Sequence, residues 1–501
     1  MLITLALVAL LVTSLWLYSK HRLSYWAKLG IPSPPALPFF GNFLNIVLGK
    51  PGRWDFDEKV YRKYSKGGIG GAYNFLSPII YISEPELIRQ ILVKDFDHFS
   101  ERQSFNSYHE NDRAMNEMLF NANGEKWKTL RSLMSPTFTS GKLKNMFHLV
   151  CEKADALHAF CLKEAATKPF VNVKKACGRF TIDTIASCAF GLECNSFDDE
   201  NAVFPAKVQP FFEAGFFRMI LFAVATSLPY LTGFMDLGIF PKEKFFFQDV
   251  AEQTLAARRK GNKRGDFLDL LLEAQASEEK DSEDQTKPKV LDDTTIISQS
   301  ILFIIVGYDT TATTISIASF LISKSPEIQQ RLRQELQEMI RKEGKLTYQG
   351  IMEAKFLDAC LMETLRLYPP APNIERVCSK DYHIAGTNIT VRKGDIVEVP
   401  LWSIHHDEKY WPDPEVFNPD RFMPQNKADI LPYTHMPFGY GPRNCIAMRF
   451  ALMEAKVALS KLVLSFDMKT APGFHDMDLT SGAFLIMPQV VNLVLEPLRE
   501  E

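Results

Sequence analysis

The alternation of apolar and polar positions begins with an unbroken run: Met1 to Tyr18 carries no charge, and Lys20, His21 and Arg22 follow at once. At ~1.5 Å per residue a helix there spans about 27 Å, enough for a thin membrane such as that of the endoplasmic reticulum. No Lys or Arg precedes the run, so a cleaved signal peptide fits poorly. The pattern predicts a retained anchor whose basic flank keeps the following chain on the cytosolic side. The segment from Ile31 to Pro38 is too rich in proline for a helix or a central strand and predicts a stiff extended connector. Between Gly67 and Tyr81 the chain reads as β-structure, with Ile79, Ile80, Tyr81 and Ile82 in succession, while helical periodicity dominates after Glu84. Ser277 to Lys289 is charged and aperiodic and reads as a mobile surface loop. After it, Asp292 or Asp293 can cap a helix that runs until Pro326 forbids its continuation, about 30 residues or ~45 Å. The expected architecture is mainly α with small β-sheets and one N-terminal transmembrane helix. Its parts are an anchor (1–20), a basic and Pro-rich hinge (21–40) and a catalytic domain (41–501).

Composition narrows this little. The 501 residues show no internal linker dividing balanced halves, and a net charge of −3 gives no reason to expect nucleic acid as a partner. Eight cysteines without CxxC spacing are too sparse for a disulfide scaffold and fit a reducing compartment. His405 and His406 lack a third ligand at metal-site spacing and read as surface histidines.

Candidate chemistry gathers at four places. Phe438 to Cys445 combines Gly439, Gly441 and Pro442 in a tight loop and presents Cys445 at the start of an apolar helical run. A thiolate is stabilised there, although a buried structural cysteine is the alternative. The middle of the long predicted helix, Ile304 to Thr314, puts Gly307, Asp309 and several hydroxyls inside an apolar run, where polar groups are costly unless used or paired. A Thr310 hydroxyl bonding back one turn would loosen the helix. Trp127 and Arg131 stand at i, i+4, in a segment with Lys126, Lys128, Lys142 and Lys144 against one acid, Glu125. Glu363 and Arg366 stand at i, i+3, a spacing that recurs at Glu86/Arg89, Glu338/Arg341 and Glu496/Arg499 and is weak alone. Phe204 to Phe247 is rich in Phe, including Phe211, Phe212, Phe216 and Phe217, and is divided between core packing and a channel roof.

Phe438, Gly439, Gly441, Arg443 and Cys445 resemble the haem-binding loop of the cytochrome P-450 family, with Ala447 where glycine is usual. The resemblance extends over about residues 30 to 495 and is closest to the animal microsomal clan of vertebrate drug-oxidising enzymes, insect detoxification enzymes and thromboxane synthase. It implies haem b with Cys445 as axial thiolate. Arg102, Trp127, Arg131, Arg376 and Arg443 would hold the haem propionates, and Asp309 and Thr310 would be the acid–alcohol pair that relays protons. Gly307 would let the haem approach. Glu363, Arg366 and Arg421 would form a structural triad behind the loop. Phe105, Phe120, Phe211, Phe212, Ile305, Ala371, Pro372, Ile374, Ala483 and Phe484 would line the substrate pocket.

The activity so implied is a membrane-bound haem-thiolate monooxygenase. It would use O2 and NADPH-derived electrons, with NADPH-cytochrome P-450 reductase docked on Lys126, Lys128, Lys142 and Lys144, cytochrome b5 as a further partner, and a lipophilic small molecule as substrate. Two alternatives stand beside it. One is a haem-thiolate peroxide isomerase of the thromboxane-synthase kind, against which the Asp309–Thr310 pair argues. The other is a non-enzymatic membrane protein with spans at Met1 to Tyr18 and Ile296 to Ile322.

Overall fold

The computed structural model describes residues 2–42, 44, 53–65, 67–104, 112–199, 202–212, 217–218, 220–221, 239–261, 263–281, 290–481 and 485–498. Phe105, Phe216, Ala483 and Phe484, named above, lie outside the described residues.

Helix α1 (Leu2–Arg22) turns its apolar side chains outward over its whole length. It is tied to the body just behind its end. Trp26 is buried, its indole N–H donates to the Ala72 carbonyl at 2.7 Å, and a Cβ on Gly71 would meet the indole at 2.5 Å. The Gly71 position therefore has to be a glycine for the hinge to dock on the sheet. That sheet is the β-structure the sequence predicts. Strands β1 (Ile69–Asn74) and β2 (Ser77–Ile82) form an antiparallel hairpin whose buried isoleucines pack on both faces.

The helical body follows in order: α2 (Gly124–Met134), α3 (Ser140–Thr167), α4 (Val173–Phe190), α5 (Asp293–Ser323), α6 (Pro326–Glu343) and α7 (Lys355–Leu367). Strands β3 (Ile374–Val377) and β4 (Ile396–Val399) then complete the first sheet in the order β1-β2-β4-β3, with β2 and β4 parallel. Helix α8 (Met448–Ser465) leads into a second sheet, where Asn492–Pro497 lies between Phe466–Thr470 and Val171–Asn172.

Helix α5 organises the body. Asp292 accepts the Thr295 N–H at 2.7 Å as its N-cap, and the helix stops two residues short of Pro326, which opens α6. Most of its 31 residues are buried, against α4, α8 and the second sheet. The two-span alternative fails here, because α5 crosses the core of the protein rather than a bilayer.

Two local expectations are corrected. Ser277 to Asp281 is not loop but the last turn of a helix, Phe267–Asp281. Its Glu and Lys residues are good helix formers whatever their lack of apolar periodicity, and Glu278 accepts the N–H groups of Val290 and Leu291 at 2.9 and 3.0 Å. His405 and His406 are buried, not on the surface, because the chain leaving β4 turns into the core through the short helix Leu401–His405. No cluster of potential metal-binding side chains occurs among the described residues.

Candidate active site: the cysteine loop and the polar turn of α5

Backbone geometry explains the loop. Gly439 and Gly441 have φ of 71° and 74°, and a Cβ on Gly441 would lie 2.1 Å from the Leu92 carbonyl oxygen, so both conformation and space require glycine there. The Cys445 N–H donates to the Phe438 carbonyl at 2.8 Å and closes the loop. Ala447 has φ −93°, an ordinary value, and packs on the core where it caps α8. Alanine in place of the usual glycine therefore carries no backbone strain.

Among the eight free cysteines Cys445 alone is exposed. Burial nevertheless acts most strongly on its thiol and raises its pKa, while the Ala447 N–H and the Arg131 and Arg102 guanidinium groups pull it down. A sulfur that is both deep and accessible faces open space inside the protein.

Arginines surround this space. Arg131 donates to the Asn444 carbonyl and side chain, each at 2.9 Å, and Arg102 to the Arg443 carbonyl at 3.1 Å, with the Phe120 ring 5.3 Å from its guanidinium. Arg443 donates to the carbonyls of Ser100 and Ala122 and to the Asn123 side chain at 2.6 to 2.8 Å, and stacks 4.3 Å from the Trp127 ring. It therefore staples the loop to the neighbouring segments. Arg376 is buried in β3, and its Nε has no hydrogen-bond partner among the described residues. Burial, followed by the charges of Arg102 and Arg443, presses its pKa well below the ordinary value. Arg443 is pushed down to about 9 by burial, Arg102 and Arg131. A buried set of like charges with an unsatisfied donor fits the two carboxylates of a haem, beside a sulfur that fits its iron.

On α5 the expected turn is formed. The Thr310 hydroxyl donates to the Val306 carbonyl at 2.8 Å, and Val306 is 42% exposed in the middle of an otherwise buried helix. The polar turn thus opens to internal space. Gly307 serves another purpose than the one expected: a Cβ there would meet Ile185 of α4 at 2.7 Å, so the glycine lets two helices approach. Sequence reasoning also missed what α4 supplies. Lys174 pairs with the Asp309 carboxylate and donates to the Thr313 hydroxyl at 2.9 Å, and the Thr181 hydroxyl donates to the Tyr308 carbonyl at 2.8 Å. The available signal was the helical stripe 174, 178, 181, 185.

Behind the loop, Glu363 and Arg366 are fully buried and joined by two contacts of 2.7 and 2.8 Å. Arg421 Nε lies 3.4 Å from the same carboxylate, which also accepts the Asn418 N–H at 3.0 Å. The structure brings the three together. Of the other expected residues, Pro372 and Ile374 are buried, and Ala371, Ile305 and Phe438 are half-buried. Phe212 packs 5.9 Å from Tyr308, and Phe211 6.0 Å from Phe247. The basic segment is less positive than it reads. Lys126 pairs with Glu117, Lys128 with Glu125 and Lys142 with Glu273, whereas Lys144 is simply exposed. Two of those acids come from elsewhere in the chain.

Comparison with known proteins agrees with this geometry. The family model described as Cytochrome P450 matches residues 31–494. The chain is 38% identical over 470 residues to Cytochrome P450 3A2 of Rattus norvegicus, covering 92% of this chain and 90% of that protein. Cytochrome P450 3A41 of Mus musculus is 37% identical with the same coverages, and Cytochrome P450 3A12 of Canis lupus familiaris 36%. The chain belongs to the cytochrome P450 family and is a haem-thiolate monooxygenase, with haem b on a cysteine thiolate and O2 and NADPH-derived electrons as co-substrates.

Proposed function

We propose that Cys445 is the thiolate ligand of that haem, and that Asp309 and Thr310 deliver the protons the reaction consumes. The observation that carries this reading is the accessible sulfur set deep among arginines, one of which lacks a partner for its buried Nε. Arg102, Arg131 and Arg376 would bind the propionates, with Trp127 stacked on Arg443 closing that side. When bound, the haem supplies oxygen activation and thiolate electron donation. The chain's own groups orient it and meter protons. Thr310, bonded to the Val306 carbonyl beside the exposed Val306, borders a gap over the continuous helix where water can stand. Asp309, paired to Lys174 outside that gap, can hand protons inward when the pair opens. Glu363, Arg366 and Arg421 hold the loop rigid and move no proton.

The substrate is a lipophilic molecule admitted beside Val306 and Ile305, with Phe120, Phe212, Pro372 and Ile374 forming the apolar surround; hydroxylation, epoxidation and dealkylation all fall within this chemistry. Electrons would come from NADPH-cytochrome P-450 reductase, with cytochrome b5 as a second donor, docked near Lys126, Lys128, Lys142 and Lys144. Of the four lysines, Lys126, Lys128 and Lys142 are paired with acids and Lys144 is exposed, so the four steer less strongly than the sequence implies. We place the protein on the endoplasmic reticulum as a single-pass protein with its catalytic domain cytosolic. The outward apolar surface of α1, its basic end and the 86% exposed Phe217 support this.

Purified protein with reductase and NADPH is expected to consume NADPH on adding a lipophilic substrate and to yield either a product heavier by one oxygen or, for dealkylation, two fragments that together contain the added oxygen. Efficient isomerisation of a peroxide without reductase would overturn the reading.

A further inference from the structure

One buried imidazole joins the Glu363/Arg366 helix to the cysteine loop. His405 is fully buried at the end of the helix Leu401–His405. Its Nε2 lies 3.3 Å from the Met436 N–H, which can only donate, so Nε2 carries no hydrogen. The hydrogen is therefore on Nδ1, which donates to the Arg366 carbonyl at 3.0 Å. Arg366 returns the contact, its Nη1 donating to the His405 carbonyl at 2.8 Å. Both carbonyls belong to the last turns of helices, where no intrahelical partner is available, so each residue caps the other's helix.

The far end of this bridge bears on the loop. The Met436 carbonyl accepts the Gly439 N–H at 2.9 Å, and Phe438 between them accepts the Cys445 N–H. His435 runs alongside, its ring stacked 5.4 Å from that of His405 and its Nε2 3.2 Å from the Met362 carbonyl of α7. Burial first, then the neighbouring His435, His406 and Arg366, lower the pKa of His405 well below the ordinary value and keep it neutral.

We propose that His405 is a positioning residue that sets the height of the cysteine loop on α7 and thereby holds Cys445 in register for thiolate ligation. This rests on the reading of Cys445 as the ligand.

Three variants of the haem-loaded full-length chain test it. H405Q keeps an acceptor at the ε position for Met436, H405N keeps only a donor at the δ position for Arg366, and H405A keeps neither. The readout is the rate at which the far-red-shifted carbon monoxide band of the reduced protein decays to the thiol-ligated band, in urea too dilute to unfold the chain. Cutting either end of the bridge is expected to speed decay about tenfold, at the Met436 end in H405N and at the Arg366 end in H405Q, and H405A is expected to decay at least as fast. Should H405A fail to fold, the Asn and Gln variants decide alone. The proposal is overturned if either H405N or H405Q decays as slowly as the parent, or if the decay rates merely follow the melting temperatures. C445S separates the two readings: if it keeps the band, Cys445 is not the ligand and both readings fall. If it loses the band while the His405 variants behave as the parent, only the role of His405 falls.

Discussion

At the scale of single residues, what distinguishes Cys445 is access combined with cationic neighbours. Cys161, Cys177, Cys188 and Cys360 are buried, and burial raises each thiol far from reactivity. Cys445→Ser is expected to fold and to lose the far-red-shifted carbon monoxide band, while Cys360→Ser keeps it; reduced difference spectra of both variants check this. Arg376 offers a prediction with two opposite signs. It is a buried cation pressed by Arg102 and Arg443, and its Nε has no partner among the described residues. Arg376→Met should raise the stability of the haem-free form to urea by about 1 kcal/mol, because a buried like charge is removed. The same change should speed haem transfer to apomyoglobin about tenfold, because a charge-assisted contact to a propionate is lost. A variant destabilised in both states would show that Arg376 has a purely structural role.

At the scale of elements, α4 and α5 act as a pair. Lys174, Gly178, Thr181 and Ile185 fall on one stripe of α4 and meet Asp309, Tyr308, the Tyr308 carbonyl and Gly307 in turn. Successive contacts along a stripe fix the rotation of α5 at its polar turn, and with it the direction of Asp309. Lys174→Met removes the cation that holds the acid, and Thr181→Val leaves a buried carbonyl without its hydroxyl partner. Both are expected to lower the ratio of product formed to NADPH consumed about tenfold, with a changed solvent isotope effect, while haem content stays at the parental level. Equal coupling in parent and variants would remove α4 from the proton route. The cysteine loop is less forgiving. Gly441→Ala combines a left-handed backbone with a collision at the Leu92 carbonyl, and should yield protein without bound haem, read from Soret absorbance per chain.

At the scale of the whole molecule, buried charge backs the loop, and the hinge docks on the first sheet through Trp26. Glu363 is fully buried and faces Arg366 and Arg421. Glu363→Gln leaves two cations with one neutral acceptor and is expected to cost about 3–5 kcal/mol, enough to prevent accumulation of folded protein in cells. By contrast, removal of residues 1–22 takes away a helix whose apolar side chains contribute little to the core. That truncation should release protein from the membrane fraction on salt washing, with its carbon monoxide band unchanged.

Motifs whose chemistry is local were legible along the chain. The glycines of the loop, the N-cap of α5 and the Thr310 back-bond depend on neighbours within a few turns, so local pattern could place them, whereas the Glu363/Arg366 spacing recurs elsewhere and was singled out by the resemblance. The uncharged run of α1 and the β-hairpin at 69–82 belong to the same class, since hydrophobic pattern is a property of consecutive residues. Partners brought from far along the chain were not legible. Lys174 beside Asp309, Ile185 under Gly307, Glu117 and Glu273 beside the basic segment, and His405 between Arg366 and Met436 are joined only when the chain folds. The sequence by itself determined the family and the cofactor, through its resemblance at runs of contiguous residues that need no folded partner to be read. Tertiary structure alone decided which charges are neutralised, which histidines are buried and which helix holds the acid, because burial and long-range pairing depend on what packs against each group.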